Sequence, residues 1–188
     1  GPGSTEVFGQ SLAHRPAQCP LSLASQPARV LSPTPPLIEA IGARPDLHKL
    51  VCAKIEALIW AGTSFSAESL RQTEEVFFPD AQVIGIYGNT LMGVAPQRPW
   101  GGADGCVFEP HPDSVLVELV DERGDLVDYG ERGQVRLHLL TEEMFLPNVT
   151  ERDTAIRVEP AAEGGADGLA DIRTLSAVGD VRVVEGVY

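Results

Sequence analysis

The spacing of apolar residues changes character along the chain, and each change predicts a different kind of element. Over residues 5–36 no period is sustained. Prolines recur at Pro16, Pro20, Pro27, Pro33, Pro35 and Pro36, each fixing φ and removing a backbone donor. The stretch reads as a Pro-rich covering segment, with Val30 and Leu31 suited to a short strand. Residues 36–41 suit the first turns of a short helix, with proline near its start and Gly42 near its end. Residues 46–53 predict a second helix with Leu47, Leu50 and Val51 on one face. Residues 55–60 (IEALIW) form a mostly apolar strand that stops at the small-residue loop Ala61-Gly62-Thr63-Ser64. Ser66 can cap the next helix by accepting from a free N–H of its first turn. Ala67, Leu70 and Phe77 share a face of that helix, and Pro79 ends it. Residues 83–86 are the following strand. They run into GIYGNT (residues 85–90), which opens as a Gly/Asn turn followed by Leu91-Met92-Gly93. Helix–strand–helix–strand over residues 45–90 is the pattern of a buried parallel sheet. Such sheets hold ligands at the carboxyl ends of their strands.

Beyond Pro96 the period becomes two. Residues 100–105 (WGGADG) form a loop. Val115, Val117 and Leu119 then alternate with polar neighbours over residues 114–120. Turns at residues 121–125 and 130–133 precede a strand in which Val135, Leu137 and Leu139 alternate with Gln134, Arg136 and His138. Further strands are expected at 153–158, 172–177 and 181–184, the first two separated by the Gly/Ala/Glu loop 160–170. Amphipathic strands this close predict antiparallel pairing and a small barrel. The fold class is therefore α/β plus β: a partial parallel α/β sheet over residues 37–96, then a small antiparallel β-barrel over 97–188. Gly1-Pro2-Gly3-Ser4 resembles the scar left by removal of an expression tag and is set aside.

Composition narrows the function classes. The 188 residues carry a net charge of −13 and an isoelectric point near 4.6. That argues against nucleic-acid and anionic-membrane surfaces, though a few local donors suffice to hold ATP. Cys19, Cys52 and Cys106 show no paired metal-ligand spacing and suit reduced thiols in a cytoplasmic protein. No run is long enough to span a membrane, and no secretory segment is visible. The sequon Asn148-Val149-Thr150 carries little weight without one.

Among candidate chemical residues, those of GIYGNT stand out. Tyr87 offers a flat face, Gly88 permits close backbone approach, and Thr90 offers an oxygen to phosphate or metal. A core tyrosine at a strand end is the plainer alternative. Asp153 is either functional or a surface carboxylate facing Arg152 or Arg157. His111, between Pro110 and Pro112, fits a barrel-rim turn, and His138 alternates outward as a surface residue. Ser64 and Ser66 lack the Gly-x-Ser-x-Gly elbow of a hydrolase nucleophile. Glu142-Glu143 is a solvated charge pair, and Trp60 and Trp100 are packing residues.

Taken in order, WAGTSFS, FFPDAQVIGIYGNT, VLVELVDERGDLVDYGERGQVRLHLL and ERDTAIRV resemble the second half of the large domain of adenylate-forming enzymes. The nearest branch is that of phenylacetate–CoA ligase-like proteins, including those of phenazine antibiotic biosynthesis. The resemblance runs from about Pro33 to the C-terminus, and its most specific part is YGNT followed by E-L-V-D-x-x-G-x-x-V-x-x-G-E-x-G-x-V. It implies that Tyr87 packs beside adenine, that Thr90 contacts phosphate within Tyr87-Gly88-Asn89-Thr90, and that Gly62-Thr63-Ser64 lies near the nucleotide and the acyl pocket. Asp153 would hold the ribose hydroxyls. It further implies ATP or AMP as cofactor, Mg2+ for a parent enzyme, a carboxylic acid substrate that is aromatic by analogy, and a thiol or amine acceptor.

The departures are specific. Leu91 stands where the family commonly has a metal-binding Glu, Glu151-Arg152 replaces Thr-Gly, and the hinge reads Gly179-Asp180 rather than Gly-Arg. Neither the Ser/Thr/Gly-rich phosphate loop nor the domain with the catalytic lysine is present. The expectation is a fragment with no catalytic residue of its own and little activity alone. The alternative is a non-catalytic binding module on the same fold. An exposed sheet edge would allow self-association.

Overall fold

The computed structural model describes residues 26–62, 65–99, 106–111, 115–175, 177–178 and 181–182. Thr63, Ser64, Trp100, the 100–105 loop, residues 112–114 beside His111, and Gly179-Asp180 lie outside them. The chain divides into two compact units, Gly1–Gly85 and Ile86–Tyr188.

In the first unit β1 (Val30–Leu31), β2 (Ala57–Trp60) and the start of β3 (Gln82–Asn89) pair in parallel, with Val30 opposite Ala57 and Leu58 opposite Val83. Helices α1 (Pro35–Gly42) and α2 (Pro45–Cys52) lie between β1 and β2, and each begins with proline in its first turn. There the missing N–H would have had no helical partner. Ile38, Ile41, Leu47 and Val51 are buried, as are Leu58 and Trp60 of β2. Fully burying side chains of this size contributes about 1.5–3 kcal/mol each.

The next helix departs from its expected phase. The Ser66 hydroxyl accepts from Ser69 N at 3.0 Å, as a cap should, and α3 (Ala67–Gln72) follows. The last turn, Thr73–Phe77, is a π-turn in which Phe78 N–H reaches back five residues to the Thr73 carbonyl at 2.8 Å. One extra residue in the turn rotates everything after it. Leu70, Thr73 and Phe78 are therefore buried, while Ala67 is exposed and Phe77 only half-buried. Thr73 tolerates burial because its hydroxyl donates to the Ser69 carbonyl at 2.8 Å.

In the second unit β3 does not open after Ile86. It continues through Asn89 and folds back as an antiparallel hairpin onto β4 (Gly93–Pro96), with Tyr87 opposite Ala95 and Gly88 opposite Val94. The expected Gly/Asn turn is thus displaced to Thr90-Leu91-Met92. Two local features cause this. The Asn89 carboxamide oxygen accepts from Leu91 N (2.9 Å) and Met92 N (2.8 Å), an Asx arrangement that mimics a backbone turn. Gly93 then closes it at φ +74°.

Past Pro96 the chain pairs with β5 (Val107–Phe108), since Arg98 N donates to Val107 O and Glu109 N to Pro96 O. β5 borders a five-stranded antiparallel sheet of order β5-β9-β8-β7-β6, where β6 is Val115–Val120, β7 Arg132–Leu140, β8 Phe145–Val158 and β9 Gly168–Thr174. The barrel predicted from the sequence is therefore a half-barrel: among the described residues β5 and β6 stand at the two ends of the strand order and do not pair with each other, and residues 96–98 pair with β5. The alternation predicted for β6 and β7 holds, with Val115, Val117, Leu119, Val135, Leu137 and Leu139 buried. β8 is far longer than the expected 153–158. Bulges against β7 and β9 let it follow the curvature. One of them carries Asn148 at φ +57°. The loop expected at 160–170 ends where β9 begins at Gly168, and the last strands reduce to the short hairpin β10 (Ala177–Val178) and β11 (Val181–Arg182).

His138 is not a free surface residue. Its side chain is 15% exposed. Its Nε2 meets Glu118 Oε2 at 2.8 Å, and its Nδ1 accepts from Asn148 N at 3.3 Å. Arg136 Nε donates to the same Glu118 oxygen at 2.8 Å. Burial would raise the Glu118 carboxyl, but the bonds from His138 and Arg136 outweigh it and hold the group below its usual range.

Candidate functional site

GIYGNT is the distal half of a hairpin strand, and each of its residues has a physical task there. Gly88 is required by the hairpin itself: a Cβ at this position would lie 1.9 Å from the Gly93 carbonyl oxygen. The Asn89 side chain is committed to the turn. Thr90 and Leu91 are exposed at its tip. The chemically distinctive residue is Tyr87. Its ring packs 6.1 Å from that of Phe108 at an interplanar angle of 53°. Its hydroxyl donates to Asp153 Oδ2 at 3.0 Å.

Asp153 sits on β8, half-buried, and its second oxygen, Oδ1, accepts from Thr174 Oγ1 at 3.1 Å. The two residues are direct cross-strand partners in the β8–β9 ladder. Tyr87 and Asp153, which stand out separately in the sequence, are therefore in hydrogen-bond contact. Thr174 does not stand out there. Its only signal is a hydroxyl opposite Asp153, and seeing it needs the β8–β9 register, which the bulge between Thr154 and Ile156 shifts.

The environment favours a neutral phenol. Burial, then the Asp153 charge and its hydrogen bond, then the charge of Glu151 push the Tyr87 hydroxyl far above its ordinary value of 10.0. The sign follows. The folded state prefers the protonated form, so this contribution is complete below pH about 10 and is lost as pH rises beyond it. Tyr87→Phe should therefore flatten part of the alkaline fall in stability above pH about 10, read as urea midpoints across pH 8–11. An unchanged slope would refute the coupling.

Gly62 belongs to the first unit, after β2, at φ +93°; Thr63 and Ser64 are outside the described residues. For magnesium, the β3–β4 turn supplies only the Thr90 hydroxyl. Leu91 brings no side-chain oxygen, and among the described residues no three His, Cys, Asp or Glu converge. These residues do not by themselves make a magnesium site. Each carboxylate oxygen of Asp153 accepts one hydroxyl and has lone-pair capacity for a further donor. Among the described residues, no helix is long and apolar enough to cross a membrane.

No known protein-family profile matches the chain, and no curated protein matches its sequence. Solved structures do match. The chain is similar to 2-hydroxyisobutyryl-CoA ligase in complex with 2-HIB-AMP and CoA, with a TM-score of 0.63 at 14% identity, covering 96% of this chain and 38% of the ligase. It is similar to the anthranilate CoA ligase AuaEII in complex with anthranoyl-AMP, with a TM-score of 0.62 at 16% identity, covering 88% of this chain and 33% of that one. It is also similar to a benzoate CoA ligase from Burkholderia xenovorans LB400, with a TM-score of 0.58 at 21% identity, covering 81% and 33%. These matches show a shared fold. The chain spans between 33% and 38% of the length of these ligases.

Proposed function

We propose that this chain is the adenylate-holding part of a carboxylate-activating enzyme. The reaction joins a carboxylic acid to the α-phosphate of ATP with release of pyrophosphate. The acyl group then passes from acyl-AMP to a thiol with release of AMP. The observation that carries this reading is Asp153, a carboxylate fixed by two hydroxyl donors with one acceptor site spare on each oxygen. It stands on a fold shared with ligases described with an acyl-AMP. In this reading Asp153 accepts the ribose hydroxyls, Tyr87 lies beside adenine, and Thr90 meets phosphate from the exposed turn. An aromatic acid of the phenazine-carboxylate kind is the substrate class we favour, supported by the resemblance of the sequence and by two of the three ligases, named for anthranilate and benzoate. Transfer chemistry needs cationic and loop donors at the phosphates. In this reading the 188 residues supply the adenylate contacts of that chemistry.

The test is calorimetric titration of AMP into the chain and into Asp153→Asn. The substitution keeps shape but removes the charge that strengthens each ribose bond. Saturable binding, weakened about tenfold in the variant, is the expected result. No saturable binding at millimolar AMP, or equal affinity in the variant, would sink the proposal.

A further inference from the structure

Two hydroxyls meet at Asp153 from two different strands. A carboxylate turns readily about its last torsion, which is broad and two-fold rather than staggered. A single donor such as Tyr87 on Oδ2 fixes one oxygen and leaves the plane free to swing. A second donor on the other oxygen removes that freedom. Thr174 Oγ1 supplies it at 3.1 Å, from the residue directly opposite on β9. The geometry does not depend on the Thr174 hydroxyl for its register. Leu175 N donates to the Arg152 carbonyl at 2.8 Å, and Thr154 Oγ1 to the Arg173 carbonyl at 3.2 Å. The strands are thus pinned on both sides of the Asp153–Thr174 pair.

We propose that Thr174 is a positioning residue that sets the plane of the Asp153 carboxylate and thereby makes the site selective for a vicinal diol. The inference rests on the adenylate reading above and adds a specificity determinant to it. Two O–H groups on adjacent ribose carbons reach both oxygens only if the carboxylate plane is held toward them. With the plane free, the cost of ordering it falls on binding, and it falls only on ligands that use both oxygens. A ligand lacking the diol has nothing to lose.

The experiment compares AMP with 2′,3′-dideoxy-AMP on the full chain and on Thr174→Val, Thr174→Ser and Thr174→Ala. Valine keeps the β-branched shape that suits a strand, and alanine guards against an effect of the added methyl. Expected is a fall of about fivefold in the AMP to dideoxy-AMP affinity ratio for Thr174→Val and Thr174→Ala, recovered to within about twofold by Thr174→Ser. Dideoxy-AMP affinity stays constant throughout. A ratio unchanged in Thr174→Val overturns the role of Thr174 and leaves the adenylate reading standing. Equal weakening of both ligands also overturns it, because that is what loss of packing alone would do. Failure of the unsubstituted chain to bind AMP overturns both.

Discussion

Gly88→Val should unfold the β3–β4 hairpin, with a loss of about 3 kcal/mol or more, a size reserved for substitutions with a definite steric cause. The cause is backbone rather than side chain. The new Cβ would lie 1.9 Å from the Gly93 carbonyl oxygen and 3.2 Å from Val94 Cα, and neither atom can rotate away. Gly88→Ala carries the same first atom and should be nearly as damaging. Gly93→Ala is the control. Gly93 has φ +74°, but an added Cβ there would have nothing within 4 Å, so the change should cost only the left-handed penalty of about 1–2 kcal/mol. Chemical denaturation of the three variants checks the order. If Gly88→Ala were milder than Gly93→Ala, the hairpin geometry would be wrong. The result also bears on function. A glycine beside a tyrosine invites the explanation that a ligand approaches its backbone, yet here the opposing strand already demands it.

The second large effect is expected at the π-turn. Phe78→Ala removes a ring that is 2% exposed and should cost about 3–5 kcal/mol. Phe77→Ala, at a half-buried position, should cost clearly less. An uninterrupted α-helix would bury Phe77 with Leu70 and reverse that order. Unfolding midpoints of the two variants therefore report on the extra residue in the turn, and Phe77→Ala proving the more damaging would refute it.

Much of the fold was legible because its elements are periodic. The helices expected at 36–41 and 46–53 and the strands expected at 55–60 and 83–86 overlap α1, α2, β2 and β3, and the alternation of Val115, Val117 and Leu119 against Val135, Leu137 and Leu139 follows from spacing. What escaped was set by single atoms or by pairing. The π-turn depends on one hydrogen bond from Phe78 N to Thr73 O, and no periodicity announces it. The continuation of β3 through Tyr87 depends on the Asn89 side chain forming the turn two residues later than the glycine suggested. His138 looked outward because its neighbours alternate, but outward on β7 is where Glu118 waits on β6. Of the site, Tyr87 is legible from its residue type at a strand end and, with Asp153, from the resemblance, whereas their contact joins strands of two different sheets and the part of Thr174 needs the β8–β9 register.

Tyr87 and Asp153 are 66 residues apart in sequence, and Asp153 and Thr174 are 21 apart. No contiguous peptide contains the arrangement. A short-motif search meets one member at a time: Tyr87 in GIYGNT, Asp153 in ERDTAIRV and Thr174 in neither. Transplanting the arrangement to another scaffold would mean carrying β3, β8 and β9 together with their bulge. A shift of one residue in β9 would turn Thr174 to the opposite face of the sheet and leave the carboxylate with a single hydroxyl partner.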